Sequence, residues 1–296
     1  MTPPDTGEED AMIEFPIVDS HVHLLNPERL SYSWTRNVPE LNRLVLPEHL
    51  SQAAAPVRID QFVFVEADVD EGQQLDEAGW VTEQAQHDPR LKGMVAALPL
   101  ERGAAIEGDL DRLCRHKILR AIRRLIQNQP DPDFCVRPGF IAGLKLLAPR
   151  DLTFDICVFH HHLPKVIEMV GQCPEVRFVL DHIGKPPIKA GGMGPWRRDL
   201  AALASLANVH CKISGVTTEA DHRAWTRDQI RPYIEHAIEA FGFDRIMYGG
   251  DWHVLELAGT YPDWVDIVDE ITRGVSEQDR RKLFRDNAIS FYRLEG

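Results

Sequence analysis

IVDSHVHL, residues 17–24, begins as an apolar run and closes on two imidazoles two residues apart, His21 and His23. Side chains two apart in a strand point to the same face, so both rings are aimed at one place. The fold is decided by how often such a stretch returns. QFVFVEAD (61–68), MVAALPL (94–100), LRAIRRLI (119–126), TFDICVF (153–159), VRFVLDHIG (176–184), VHCKISG (209–215) and RIMYGGDW (245–252) bring the strand candidates to eight. Several are continuously apolar rather than alternating, which is how strands covered on both faces read. Helical periodicity fills most of the gaps, as in LPKVIEMVGQC (163–173) and QIRPYIEHAIEAFG (229–242). Strands alternating with helices predict a parallel sheet, and eight of them predict a single-domain (β/α)8 TIM barrel over residues 17–296. The acidic, Pro-containing start, residues 1–16, reads as a flexible lead-in. Two more helices close the chain, the second opening with Ser276 as N-cap and Asp279 three residues on.

Composition narrows the function classes. The 296 residues are 44% hydrophobic and 27% charged, with a formal net charge of -13. An acidic balance argues against sequence-independent binding to nucleic acid or anionic membranes. Apolar runs of about 18 residues, the length of a membrane span, do not occur. The five cysteines are scattered and lack CxxC spacing, so neither a disulfide framework nor a zinc-thiolate site is suggested, and a reducing cytoplasm fits. Cys157 and Cys211 read as small core residues. The stretch Trp34 to Pro56 has no strand pattern and directly follows the first strand, which suggests a lid or recognition loop.

Aligning the strand candidates by their C-terminal ends brings ionisable groups to one end of the barrel. These are His21 and His23; Glu66 and Asp68; Arg123, Arg124 and Gln127; the run His160-His161-His162; Asp181 and His182; Lys212 and Ser214; and Asp251 followed by Trp252 and His253. Adjacent strand residues face opposite ways. Arg123 and Arg124 therefore cannot both point inward, and the histidine run offers either its middle ring or the two flanking ones. Gly249 and Gly250 before Asp251 would let the backbone turn sharply or approach a ligand closely.

DSHVHL, FDICVFHHHLP, FVLDHIGKP, HCKISG and MYGGDW, in this order, resemble the amidohydrolase superfamily. The closer likeness is to its sugar-lactone hydrolase branch, the L-fuconolactonase- and L-rhamnonolactonase-like enzymes, and it runs over nearly the whole chain. The resemblance implies a (β/α)8 barrel. It also implies one or two divalent metals among His21, His23, a histidine of the 160–162 run, His182 and Asp251. A fourth-strand lysine or carboxylate that bridges two metals has no counterpart, since Arg123 and Arg124 stand there, and a cation in that place opposes a dinuclear centre. His253 stands where the branch pattern suggests proline.

The implied reaction is ring opening of an aldonolactone by water. In this reading Asp251 is the general base, and His182, His160 and Arg124 polarise the carbonyl. His21, His23, Glu66, Arg123, Trp34, Gln127 and Trp252 contact the substrate. A single zinc on His21, His23, His182 and Asp251 is an optional cofactor rather than a requirement. A small-molecule lactone is the only partner this implies, with homo-oligomer formation left open. The alternatives are a zinc-dependent amidohydrolase, a non-oxidative decarboxylase of an aromatic or unsaturated acid, or a barrel kept as a binding scaffold.

Overall fold

The computed structural model describes residues 13–294, so most of the expected lead-in lies outside the described residues. Eight strands form one sheet in sequence order: β1 (Ile17–Val22), β2 (Ile59–Val65), β3 (Leu91–Ala97), β4 (Leu119–Arg123), β5 (Thr153–Ile156), β6 (Phe178–Leu180), β7 (Val209–Ile213) and β8 (Ile246–Tyr248). Each strand pairs with the next in parallel. The helices are α1 (Pro47–Ala54), α2 (Gln74–His87), α3 (Glu107–Leu113), α4 (Pro138–Lys145), α5 (Leu163–Gly171), α6 (Gly194–Ala204), α7 (Arg227–Phe241), α8 (Tyr261–Thr272), α9 (Glu277–Arg281) and α10 (Asn287–Tyr292), the last two joined by a π-helical turn over Lys282–Asp286. This is the single-domain (β/α)8 barrel that the eight apolar runs predict. Ser276 caps α9 by accepting from the Asp279 N–H, and its hydroxyl donates to the Asp279 carboxylate at 2.9 Å.

The stretch between Trp34 and Pro56 is more ordered than a loop. Two short 3-10 turns, Ser33–Asn37 and Pro39–Leu41, are followed by α1, the helix that returns the chain from β1 to β2. Its eight residues bury only Pro47, Leu50 and Ala54, which is too few apolar positions to announce a helix by periodicity.

Two separate apolar clusters explain the continuously hydrophobic strands. One lies between the sheet and the surrounding helices and includes Phe62, Phe64, Phe154, Phe178 and Tyr248. The other fills the barrel with Val18, Val63, Val65, Val95, Ala121, Val179 and Met247, joined by Phe291, Tyr292 and Leu294 from the C-terminal segment. That segment seals the floor of the barrel.

The seam between β8 and β1 is closed at the opposite end. There Asp251 N–H donates to the His21 carbonyl at 2.8 Å and His23 N–H to the Trp252 carbonyl at 2.7 Å. The buried Asp19 carboxylate accepts from Gly250 N–H at 2.8 Å and from the Tyr261 hydroxyl at 2.8 Å. Residues aimed at the mouth therefore also hold the barrel shut.

Candidate active site

At the mouth, His21, His23, His182 and Asp251 converge. His21 Nε2 lies 3.2 Å from His23 Nε2. Asp251 Oδ1 lies 3.4 Å from His23 Nε2 and 3.7 Å from His21 Nε2, and its Oδ2 is 3.8 Å from His182 Nδ1. His182 Nδ1 also meets the Ser214 hydroxyl at 3.0 Å. Burial pushes the His182 imidazole down to about 4 and holds His21 well below the usual histidine range. Burial raises the Asp251 carboxyl, but His182, His23 and His21 outweigh it and hold the acid below the ordinary carboxylate range. At neutral pH Asp251 is thus an ionised carboxylate facing the neutral imidazoles of His21 and His182.

The backbone is strained where these groups are presented. His182 has φ +55°, Ile183 +49°, Lys185 +45° and Asp251 +52°, each in the left-handed region that costs a non-glycine residue about 1–2 kcal/mol. Such strain collects at functional sites, held by the surrounding structure. Gly249 and Gly250 serve by close approach rather than by a left-handed turn, because their Cβ atoms would sit 2.8 Å from His21 Cβ and 2.5 Å from Asp19 Oδ2. The left-handed residue is Asp251 itself. Gly215, φ +56°, combines both constraints, since a Cβ there would lie 2.5 Å from His182 Nδ1 and 2.9 Å from Asp251 Oδ2.

Of the two arginines, Arg123 faces the cluster. It donates to Glu66 Oε1 at 2.6 Å, to the Glu66 carbonyl at 2.5 Å and to Asp181 Oδ2 at 3.2 Å, with Nη1 3.5 Å from His21 Nε2. Arg124 turns the other way into a two-pronged pair with Glu101, at 2.7 and 3.0 Å, as the alternation of strand neighbours requires. Arg123, rather than the Arg124 expected to polarise the carbonyl, is thus the arginine that stands beside the histidines. His160 is likewise set apart. β5 ends at Ile156, and the histidine run forms a 3-10 turn beyond it, where His160 Nδ1 meets the Lys185 carbonyl at 3.2 Å. The residue that follows β5 is Cys157, which belongs to the site rather than only to the core. It groups with Asp181 and His182, and burial pushes its thiol up to about 11.

A cavity of about 210 Å³ opens over this cluster, lined by His23, His182, Asp251 and Arg123 on its catalytic wall. Trp34, Gln127 and Lys185 face them, with Lys185 Nζ donating to Gln127 Oε1 at 2.7 Å and Trp34 Nε1 to the Ala67 carbonyl at 2.8 Å. Asp68, pushed up to about 6 by burial and by Glu66, completes the rim. Three residues assigned to substrate contact lie outside that lining. His21 is fully buried behind His23, Glu66 holds Arg123 from below, and Trp252 is buried with its indole donating to Glu256 at 2.9 Å.

Beneath His21 lies a buried group that strand-end reasoning noticed but left out of the site. Lys212 Nζ pairs with Asp155 Oδ2 at 2.6 Å and Asp181 Oδ1 at 3.0 Å. All three are fully buried. Burial disfavours the ammonium, but Asp155 and Asp181 outweigh it and keep Lys212 charged. A signal was present: a charge inside an apolar strand run such as TFDIC or HCKIS must be paired inside the protein.

The donor atoms of His21, His182 and Asp251 lie within 4.8 Å of one another. With His21 and His182 held neutral and His23 beside them, the set suits a single zinc. Five cysteines remain free, four of them buried. Among the described residues no helix is long and apolar enough to cross a membrane.

Comparison with known proteins places this geometry. An L-fucono-1,5-lactonase of Burkholderia ambifaria is 34% identical over 192 residues, covering 63% of this chain and 66% of that protein. A second L-fucono-1,5-lactonase, from Burkholderia multivorans, is 29% identical over 289 residues, covering 94% and 96%. The crystal structure of an amidohydrolase from Burkholderia multivorans with bound zinc superposes with a TM-score of 0.86 at 28% identity, over 95% of this chain and all of that one. The sequence pattern of the Amidohydrolase family matches residues 18–294, and the chain belongs to that family.

Proposed function

We propose that this protein opens the ring of a sugar lactone, an aldonolactone, by water attack at the carbonyl carbon, releasing the aldonic acid. The observation that carries the reading is Asp251. It is a buried carboxylate kept ionised beside the neutral imidazoles of His21 and His182, on the wall of a cavity whose other wall offers Lys185, Gln127 and Trp34. Two similar proteins named L-fucono-1,5-lactonase support it.

Asp251 takes a proton from the attacking water, and Arg123 with His182 stabilises the charge that grows on the carbonyl oxygen. The ring C–O bond then breaks, and the alkoxide leaving group recovers the proton from Asp251. Each fixed donor of this kind contributes on the order of 3 kcal/mol. Lys185 and Gln127 bind substrate hydroxyls, and Trp34 covers the ring. His160 and Arg124 have no part in these steps. If zinc is bound, His21, His23, His182 and Asp251 hold it, and it supplies further polarisation of the carbonyl.

The test is a pH-indicator assay on a panel of aldonolactones, L-fucono-1,5-lactone first, with and without chelator. Turnover of a lactone is expected. No turnover on any lactone, with release of CO2 from aromatic acids instead, would overturn the proposal in favour of a decarboxylase.

A further inference from the structure

We infer that Asp68 is a specificity-determining residue: its carboxylate accepts hydrogen bonds from hydroxyls carried by the lactone ring and so selects polyhydroxylated lactones over bare ones. The inference rests on the reading that the substrate is a lactone, and it adds which lactones the site prefers.

The segment that leaves β2 is fastened around Asp68. Glu66 N–H donates to the Val95 carbonyl at 2.9 Å, Ala67 N–H to Glu77 Oε1 at 3.0 Å and Asp68 N–H to Glu66 Oε2 at 2.8 Å. The Ala67 carbonyl accepts from the Trp34 indole at 2.8 Å. The neighbouring acids are engaged as well. Arg123 holds Glu66 at 2.6 Å, and the N–H and hydroxyl of Ser33 donate to Asp70 at 2.9 and 2.8 Å. Asp68 differs: among the described residues its carboxylate has no hydrogen-bond or ion-pair partner. It is held in left-handed backbone, φ +54°, a turn that glycine would make without strain. The turn itself thus has no need of a carboxylate.

Asp68 lines the substrate cavity and also a second, polar cavity of about 480 Å³ that adjoins it at Asp68, Arg123 and Leu125. Within the substrate cavity the other polar wall consists of donors. Gln127 Oε1 is already taken by Lys185 Nζ at 2.7 Å and by the Cys157 thiol at 3.4 Å, which leaves the amide N–H groups for a ligand. A sugar hydroxyl is donor and acceptor at once, so a wall of donors satisfies half of it. Asp251, the other carboxylate of that lining, is committed to the attacking water. Asp68 is the acceptor that remains, with two oxygens for two neighbouring hydroxyls. A site built to hydrogen-bond substrate hydroxyls rejects the analogue that lacks them.

The experiment compares L-fucono-1,5-lactone with δ-valerolactone, the same ring without hydroxyls, on the full chain. It is run at pH 8, above the value of about 6 to which burial and Glu66 push the Asp68 carboxyl. In Asp68→Asn, which keeps the shape, the KM for L-fucono-1,5-lactone should rise at least tenfold, with kcat falling less than threefold. The preference for that lactone, as a ratio of kcat/KM values, should fall at least tenfold. Asp68→Gly, which relieves the left-handed backbone, should lose the preference in the same way with a urea midpoint no lower than wild type. A smaller change in preference, or a loss shared equally by both lactones, would overturn the inference and leave the lactonase standing. Wild-type silence on both lactones would overturn the two together. Should wild type turn over only the hydroxylated lactone, the split between KM and kcat decides.

Discussion

At the mouth of the barrel Asp68, His182, Ile183, Lys185 and Asp251 hold left-handed backbone, and imidazoles, carboxylates and an arginine crowd within 4 Å of one another. At the floor, Phe291, Tyr292 and Leu294 pack among valines in an apolar layer. The mouth accepts strain and desolvated polar groups to place reacting atoms, whereas the floor supplies the apolar burial that holds such a mouth together. The chain that closes each end differs too. At the mouth the seam between β8 and β1 is closed by backbone hydrogen bonds, whereas the floor is sealed by a helix from the C-terminal segment.

Substitutions at the two ends should separate activity from stability. The largest effect is expected for Asp251→Asn, which should lower kcat by about 10³-fold while urea unfolding shows the variant still folded. Undiminished turnover would remove Asp251 as the base. At the floor, Phe291→Ala should destabilise by about 3–5 kcal/mol and leave kcat/KM of the folded fraction unchanged. A matching loss of kcat/KM would show that the two ends are not separable.

Gly215→Ala tests both at once, since its Cβ would press on His182 Nδ1 and the residue holds φ +56°. We expect kcat to fall about 100-fold, with a stability loss of about 1–2 kcal/mol. A smaller effect is expected at His210 on the floor, where burial pushes the imidazole down to about 4. Its folded value lies below the unfolded one, so its contribution is full above about pH 6.5 and is lost as pH falls toward 4. His210→Gln should therefore make stability less acid-sensitive than wild type, by about 2 kcal/mol at pH 4.5 in paired denaturant curves. An unchanged pH slope would show that the ring titrates alike in the folded and unfolded chain. Arg124→Gln should change kcat/KM by less than about threefold, because its half-exposed pair with Glu101 is worth about 0–1 kcal/mol. A large loss would return Arg124 to the chemistry.

How much of the site was legible depended on the kind of information each residue carries. His21, His23, His182 and Asp251 stand at the ends of well-marked strands, and the structure gathers them. Arg123 and Arg124 show the limit. A period of two says that neighbours face opposite ways but not which faces inward, and that choice comes from how β4 sits between β3 and β5. The histidine run misled for a related reason. β5 stops at Ile156, four residues before His160, and strand ends are poorly marked by propensity. Trp252, next to Asp251 and expected to contact substrate, is instead buried with its indole on Glu256.

The sequence by itself determined the eight βα units, the absence of a divided chain and the order of the histidines and the final aspartate. Those features are local, set by apolar runs and by the residue types that end them. Only the tertiary structure decided that Arg123 rather than Arg124 meets the histidines, that Cys157 takes the place expected of a histidine, and that the C-terminal helix seals the floor. It alone joined Lys212, Asp155, Asp181 and Tyr292 beneath His21. Tyr292 and Asp155 are 137 positions apart, and Lys212 and His21 are 191 apart. Contacts of that span arise when a sheet closes into a barrel, and no local pattern in the chain encodes them.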